Sequence, residues 1–147
     1  MKVVIQRVSK ASVLINNIEE RSINKGFVIL LGITKGDSIE DINYLVKKIV
    51  DLRVFEDYNN KLNLSIKDIN GDILLISQFT LYADTKKGNR PSFDKCMKYD
   101  EANDIYNLFI NILSEKIKIT TGSFGADMKV SLINDGPVTI IIDSKDR

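Results

Sequence analysis

Histidine is missing from all 147 residues. Its absence removes Ser-His-Asp and Cys-His catalysis, and with them every metal site built on imidazole. Cysteine is almost as scarce: Cys96 stands alone, so neither an intrachain disulfide nor a thiolate-rich zinc site can form. Chemistry done by this chain is therefore expected to need no metal and no cofactor. Long apolar runs are also lacking. The longest, Phe27 to Leu31, is far too short to cross a bilayer, and the opening residues reach Lys2 and Arg7 too early for the apolar core of a signal peptide. A cytosolic protein without a membrane partner is expected. Finally, charge of one sign is not in excess. With 21 basic and 20 acidic residues the net charge is +1, so any hold on nucleic acid has to come from a local patch.

What remains is ordinary for one folded domain over residues 1–147, with 44% hydrophobic and 28% charged residues and no repeat or linker. Residues 1 to 15, with Val3, Ile5, Val13 and Ile15 at period two, read as strand, and Asn16-Asn17 as a hairpin turn. Phe27 to Leu31 reads as a strand buried on both faces. A helix is expected from Asp37, capped by Asp37 with Glu40 reaching back, and carrying Ile39, Ile42, Leu45, Val46 and Ile49 as its apolar stripe. Asp57 to Lys61 is a plain turn, and Ile73 to Ile76 a further strand. A second helix from about Asp100 places Ile105, Tyr106, Phe109, Ile110, Leu113 and Ile117 inward. Strands follow at 117–121, 128–133 and 138–142. The order is that of an α/β domain with a mixed sheet, without the regular alternation of a doubly wound fold.

Four segments carry candidate chemistry. Ser77-Gln78-Phe79-Thr80-Leu81 continues the buried strand; alternation would put Ser77, Phe79 and Leu81 on one face and Gln78 and Thr80 on the other. Polar residues there can line a site, although strand ends are commonly polar for no further reason. Thr85 to Pro91 is a loop whose Lys86, Lys87 and Arg90 surround Gly88; it can hold phosphates, while charge alone favours a solvated loop. Gly122 to Met128 pairs two glycines with Phe124, Ala126 and Met128, which can wall a pocket for a ring or simply pack a turn. Asn134-Asp135-Gly136-Pro137 is the strongest turn signal. By the proline average, with cis in only about 5–6% of such bonds, the Gly136–Pro137 bond is expected to be trans. Arg7, inside an apolar strand, either faces water or holds backbone carbonyls with its forked donors.

Taken together these segments resemble the D-aminoacyl-tRNA deacylase family over essentially the whole chain. The resemblance is carried by Gln6-Arg7-Val8-Ser9, by Ser77 through Asp84, by Arg90-Pro91-Ser92-Phe93, by Thr121 through Met128 and by Asn134 through Thr139, in the family's order and spacing. It implies a largely antiparallel, barrel-like sheet with two main helices. It implies a homodimer with two active sites at the interface, acting on the 3′-terminal adenosine and acceptor end of D-aminoacyl-tRNA. Ser77, Gln78, Phe79 and Thr80 would line the pocket, with Phe124, Ala126, Met128, Lys86, Lys87 and Arg90 binding substrate. Gly136-Pro137 would be cis, overriding the trans expectation, and would enter the partner's pocket with Arg7 fixing it.

For an ester on a ribose hydroxyl, two mechanisms suit a chain without histidine. Either Thr80 attacks, or the neighbouring ribose hydroxyl helps to activate water while backbone N–H groups near Phe79 and Thr80 stabilise the oxyanion. The second fits both the family and the missing imidazole. Carbonyls of Gly136 and Pro137 close to Cα would exclude an L side chain and admit a D one, with glycine accepted as a side effect. The rival readings are a non-catalytic tRNA- or nucleotide-binding dimer module and a purely structural dimerisation domain.

Overall fold

The computed structural model describes residues 1–147. Its organising element is β1 (Lys2–Ile15), fourteen residues long. Val3 and Ile5 point into one apolar cluster, while Val8, Ala11, Val13 and Ile15 point into another. Register shifts between Gln6 and Val8 and between Val8 and Lys10 make this change of face possible, as an extra residue bends a strand and increases its twist. The strand then turns at Asn16 and Asn17, both at positive φ that Asn tolerates, into β2 (Glu19–Ile23).

The inner strand β3 (Gly26–Gly32) runs antiparallel to β1 and parallel to β6 (Asp72–Ser77). Its Phe27, Ile29 and Leu31 face the helices, and Val28 faces the second cluster, which explains the unbroken apolar run. Gly26 is demanded by this pairing, because a Cβ there would lie 1.8 Å from the Asp72 carbonyl oxygen. Next to β6 lies β7 (Ile119–Thr121), again parallel, and β8 (Met128–Asp143) pairs antiparallel with the free side of β1. A short hairpin of β4 (Phe55–Glu56) and β5 (Leu62–Leu64) holds Asp57 to Lys61 as its turn. The sheet order is β2-β1-β3-β6-β7, and Arg21 of β2 donates to the Thr121 carbonyl across the gap at 2.7 Å, nearly closing the barrel. The helices α1 (Ile39–Asp51) and α2 (Tyr99–Ser114) cover the outer face. This is the mixed, largely antiparallel barrel-like sheet with two helices. No helix is long and apolar enough to cross a membrane.

Two sequence expectations change here. Helix α1 is capped by Ser38, whose hydroxyl accepts from the Glu40 N–H while Asp41 reaches back to the Ser38 N–H. Asp37 instead sits buried against the terminal ammonium of Met1 at 2.6 Å and accepts from the Thr34 N–H. The apolar stripe also starts later, since Ile39 is exposed whereas Ile42, Leu45, Val46 and Ile49 are buried. The second correction concerns Asn134 to Pro137, which reverses nothing. It lies within continuous β8 as a bulge: Gln6 pairs with Thr139 and Val8 with Asn134, so Arg7 alone spans four residues of its partner strand.

Burial opposes ionisation of Asp41, but hydrogen bonds from Ser144, Lys145 and the Ser38 N–H win and hold its carboxyl far below the usual range. A folded-state value below the unfolded one contributes stability that is complete above about pH 4 and fades as pH falls further. Asp41→Asn is therefore expected to cost about 1–3 kcal/mol at pH 7 in urea unfolding, because buried donors lose their charged acceptor. The deficit should shrink below pH 4; a pH-independent deficit would contradict the charge's role.

Candidate active site

Strand β6 ends at Ser77, and the chain does not continue as strand. Gln78 leaves the ladder after donating its N–H to the Leu31 carbonyl, and Phe79–Tyr82 form one turn of 3₁₀ helix. The expected strand alternation of Ser77 to Leu81 therefore ends at Ser77, since the winding brings residues three apart together instead. Gln78 and Thr80 nevertheless meet on one side: Gln78 stands ahead of the turn in a non-helical conformation, and its Nε2 donates to Thr80 Oγ1 at 2.5 Å. Whichever way the amide is turned, Thr80 faces a neutral group that cannot take its proton. The opening N–H groups of such a turn have no acceptor within it.

This turn edges an apolar cleft of about 570 Å³. Ser77, Gln78 and Phe79 form one side, and Phe124, Ala126 and Met128 arrive opposite from the segment between β7 and β8. Residues separated widely in sequence are thus brought to one site. Its floor is rigid: Gly122 packs where a Cβ would meet Met128 Sδ at 2.5 Å, and Phe124 lies 5.4 Å from the buried Tyr106 ring. Cys96, Met97 and Tyr99 also line the cleft, and sequence reading missed them. Cys96 Sγ donates to the Phe79 carbonyl at 3.4 Å; burial pushes its thiol up, Lys35 countering in part, so it remains a neutral donor.

Lys86, Lys87 and Arg90 lie apart from the apolar lining. With Asp84, Ser92, Asp94 and Lys95 they surround an adjoining polar cavity of about 290 Å³. It borders the cleft, since Phe93 packs edge-on against Phe79 at 5.0 Å and Cys96 follows Lys95 directly. Asp84 and Ser92 bridge the loop's two ends, and Asp84 accepts from the Lys86 N–H. The carboxylates keep part of the cationic charge compensated.

Arg7, Gly136 and Pro137 do not line this cleft. Arg7 is buried and uses its fork on backbone: Nε donates to the Asp135 carbonyl at 2.9 Å and Nη1 to the Val54 carbonyl at 2.6 Å. It thereby ties the β8 bulge to the β4 hairpin. Asn134 braces the bulge from the other end, accepting from the Val138 N–H and donating to Thr139 Oγ1. The Gly136–Pro137 peptide bond is cis, Gly136 has φ +130, and both residues are exposed. A rigidly held loop is presented outward rather than into its own chain's cleft. No cluster of three His, Cys, Asp or Glu side chains able to hold a metal is present.

The fold is thus a nearly closed barrel with an apolar, ring-walled cleft beside a polar cavity lined by four cations and two carboxylates. The chain belongs to the D-Tyr-tRNA(Tyr) deacylase family of hydrolases, whose model matches residues 4–143. It is 60% identical over 99% of both chains to the D-aminoacyl-tRNA deacylase of Finegoldia magna. It is 59% identical to the D-aminoacyl-tRNA deacylase of Flavobacterium psychrophilum, over 100% of this chain and 99% of that one. Among solved structures, one described as c-Myc DNA Unwinding Element Binding Protein is 41% identical with a TM-score of 0.91, covering 97% of this chain and 98% of that one. A second, described as a probable eukaryotic D-amino acid tRNA deacylase, has a TM-score of 0.83 at 18% identity, over 96% and 97% of the two chains, and shares the fold.

Proposed function

We propose that this chain hydrolyses the ester joining a D-amino acid to tRNA, that it binds the terminal adenosine in the cleft, and that the tRNA itself assists the chemistry. The observation that carries this reading is the meeting of Ser77, Gln78 and Phe79 with Phe124, Ala126 and Met128 around one apolar cleft. The reacting ester sits at its edge, against the turn at Gln78 to Thr80. Backbone N–H groups of Phe79 and Thr80 stabilise the oxyanion, and the ribose hydroxyl beside the ester activates water. Thr80 positions rather than attacks, since its hydroxyl meets only the Gln78 amide. Lys86, Lys87 and Arg90 take phosphates of the acceptor end in the adjoining cavity. No step calls on a metal or cofactor, and a cytoplasmic location suits the substrate.

Selection of the D-configuration is assigned to Gly136 and Pro137, with Arg7 holding them. Because the bulge points away from its own cleft, this requires a second copy. A homodimer is supported by β8, a sixteen-residue strand whose outer edge is unpaired and which leaves Ile133 and Ile141 59% and 65% exposed. The partner's bulge would complete the cleft, and glycyl-tRNA would be hydrolysed too, having no side chain to exclude.

The wild-type protein incubated with D-tyrosyl-tRNA is expected to release free D-tyrosine with multiple turnovers per protomer. Stoichiometric retention of intact D-tyrosyl-tRNA without release would replace this reading by that of a binding module.

A further inference from the structure

Apart from Tyr58 in the turn between β4 and β5, the aromatic rings most exposed at the surface stand at the cleft. Phe79 is 55% exposed and Tyr99 is 61% exposed, yet both line the same apolar space. Tyr99 begins α2, so its backbone is fixed by a helix that buries Tyr106, Phe109 and Leu113. Its ring meets the Phe124 ring edge-on, with centroids 5.1 Å apart, and Phe124 in turn rests on Tyr106. A file of three rings therefore runs from the core to the mouth of the cleft. The Tyr99 hydroxyl donates to the Phe124 carbonyl at 3.5 Å.

Gly125 makes room for this ring. Its φ is +72, and a Cβ there would stand 2.5 Å from Tyr99 Oη and 2.7 Å from Cε2. Any side chain would push the ring out of place. A large ring exposed to this degree, wedged by a glycine and backed by two others, is costly to leave facing water and rigid enough to receive a flat partner.

We propose that Tyr99 is a binding residue for the substrate: its ring, seated on Gly125, is the platform on which the terminal adenine stacks. This rests on the reading of the chain as a D-aminoacyl-tRNA hydrolase. The base is the flat group common to every such substrate, whereas the amino-acid side chain varies in size and polarity. Stacking on an aromatic ring suits the constant group and gives affinity without adding to the chemical step.

Steady-state kinetics on D-tyrosyl-tRNA and D-alanyl-tRNA test this, together with ligand-observed NMR of AMP binding, which needs no turnover. Tyr99→Ala is expected to raise KM by about tenfold to a hundredfold for both esters, with kcat changed less than about threefold, and to weaken AMP binding in parallel. Tyr99→Phe, which keeps the ring, is expected to bring KM and AMP affinity back to within about twofold of wild type. An increase in KM confined to the D-tyrosyl ester would overturn the proposal, placing the ring against the amino-acid side chain. Unchanged AMP binding in Tyr99→Ala would overturn it as well. Wild type that hydrolyses neither ester would contradict the proposed activity, and AMP binding would still decide the role of the ring.

Discussion

Thr80→Ala is expected to keep hydrolysing D-tyrosyl-tRNA within about tenfold of wild type, while a substrate carrying hydrogen in place of the ribose hydroxyl beside the ester is expected to lose about a hundredfold or more. The asymmetry follows from what surrounds each hydroxyl. Thr80 Oγ1 lies 2.5 Å from the Gln78 amide, and an amide in either orientation is no base. The chain supplies no imidazole anywhere, and the one thiol at the cleft is held neutral by burial. A hydroxyl nucleophile with no proton acceptor gains little over water. The substrate's own hydroxyl, by contrast, sits on the ribose carbon next to the one that bears the ester and is positioned by whatever positions the ester. Single-turnover rates for the four combinations of protein and substrate separate the two roles. A drop of several orders of magnitude in Thr80→Ala, with the deoxy substrate cleaved normally, would return the nucleophile's part to Thr80.

Gly136→Ala is expected to lower kcat/KM for D-tyrosyl-tRNA by about a hundredfold, or to let L-tyrosyl-tRNA be cleaved, while the protein stays folded. Gly136 has φ +130, which an alanine resists, and the new methyl would stand 2.8 Å from Arg7 Nη2 and 2.9 Å from Val138 Cγ2. Neither neighbour yields freely. Arg7 is held by the Asp135 and Val54 carbonyls, and the Val138 N–H is held by Asn134. The exposed loop must move instead, and with it the carbonyls proposed to meet the substrate. The barrel core does not depend on this bulge, so thermal unfolding should shift by only a few degrees. A Gly136→Ala protein with wild-type D-activity and intact rejection of the L-ester would remove the bulge from the selection of configuration.

How much of this was legible in the sequence varied with the kind of signal. Apolar periodicity placed β1, β3, β6 and both helices, because burial against one face dictates residue spacing directly. The helix-start signal misplaced one residue's role: Asp37 and Ser38 are both competent caps, and only the folded chain brings the Met1 ammonium against Asp37 and the Ser144 hydroxyl against Asp41. The segment Ser77 to Leu81 reads as strand by composition, yet the ladder between β3 and β6 ends at the pairing of Leu31 with Ser77. Past that point no ladder partner remains, and the chain winds into a turn. Asn134 to Pro137 has every mark of a reversal, but β1 is long enough to pair on both sides of it, so tertiary pairing converts the turn into a bulge. At the cleft, motif residues were found and Cys96, Met97 and Tyr99 were not. They lie just ahead of or at the start of α2, where nothing in the spacing marks a side chain as facing the site.

The central claim is that configuration is sensed through main-chain atoms near Cα rather than through a side-chain pocket, and comparing five esters on the wild-type protein tests it most directly. D-tyrosyl-, D-alanyl-, D-aspartyl-, glycyl- and L-tyrosyl-tRNA are offered side by side and their deacylation rates measured. The account predicts that the three D-esters, unlike in size and charge, are cleaved within about tenfold of one another, that the glycyl ester is cleaved too, and that the L-ester is spared. Rates that follow the side chain, or an L-tyrosyl ester cleaved as fast as its mirror image, would contradict it.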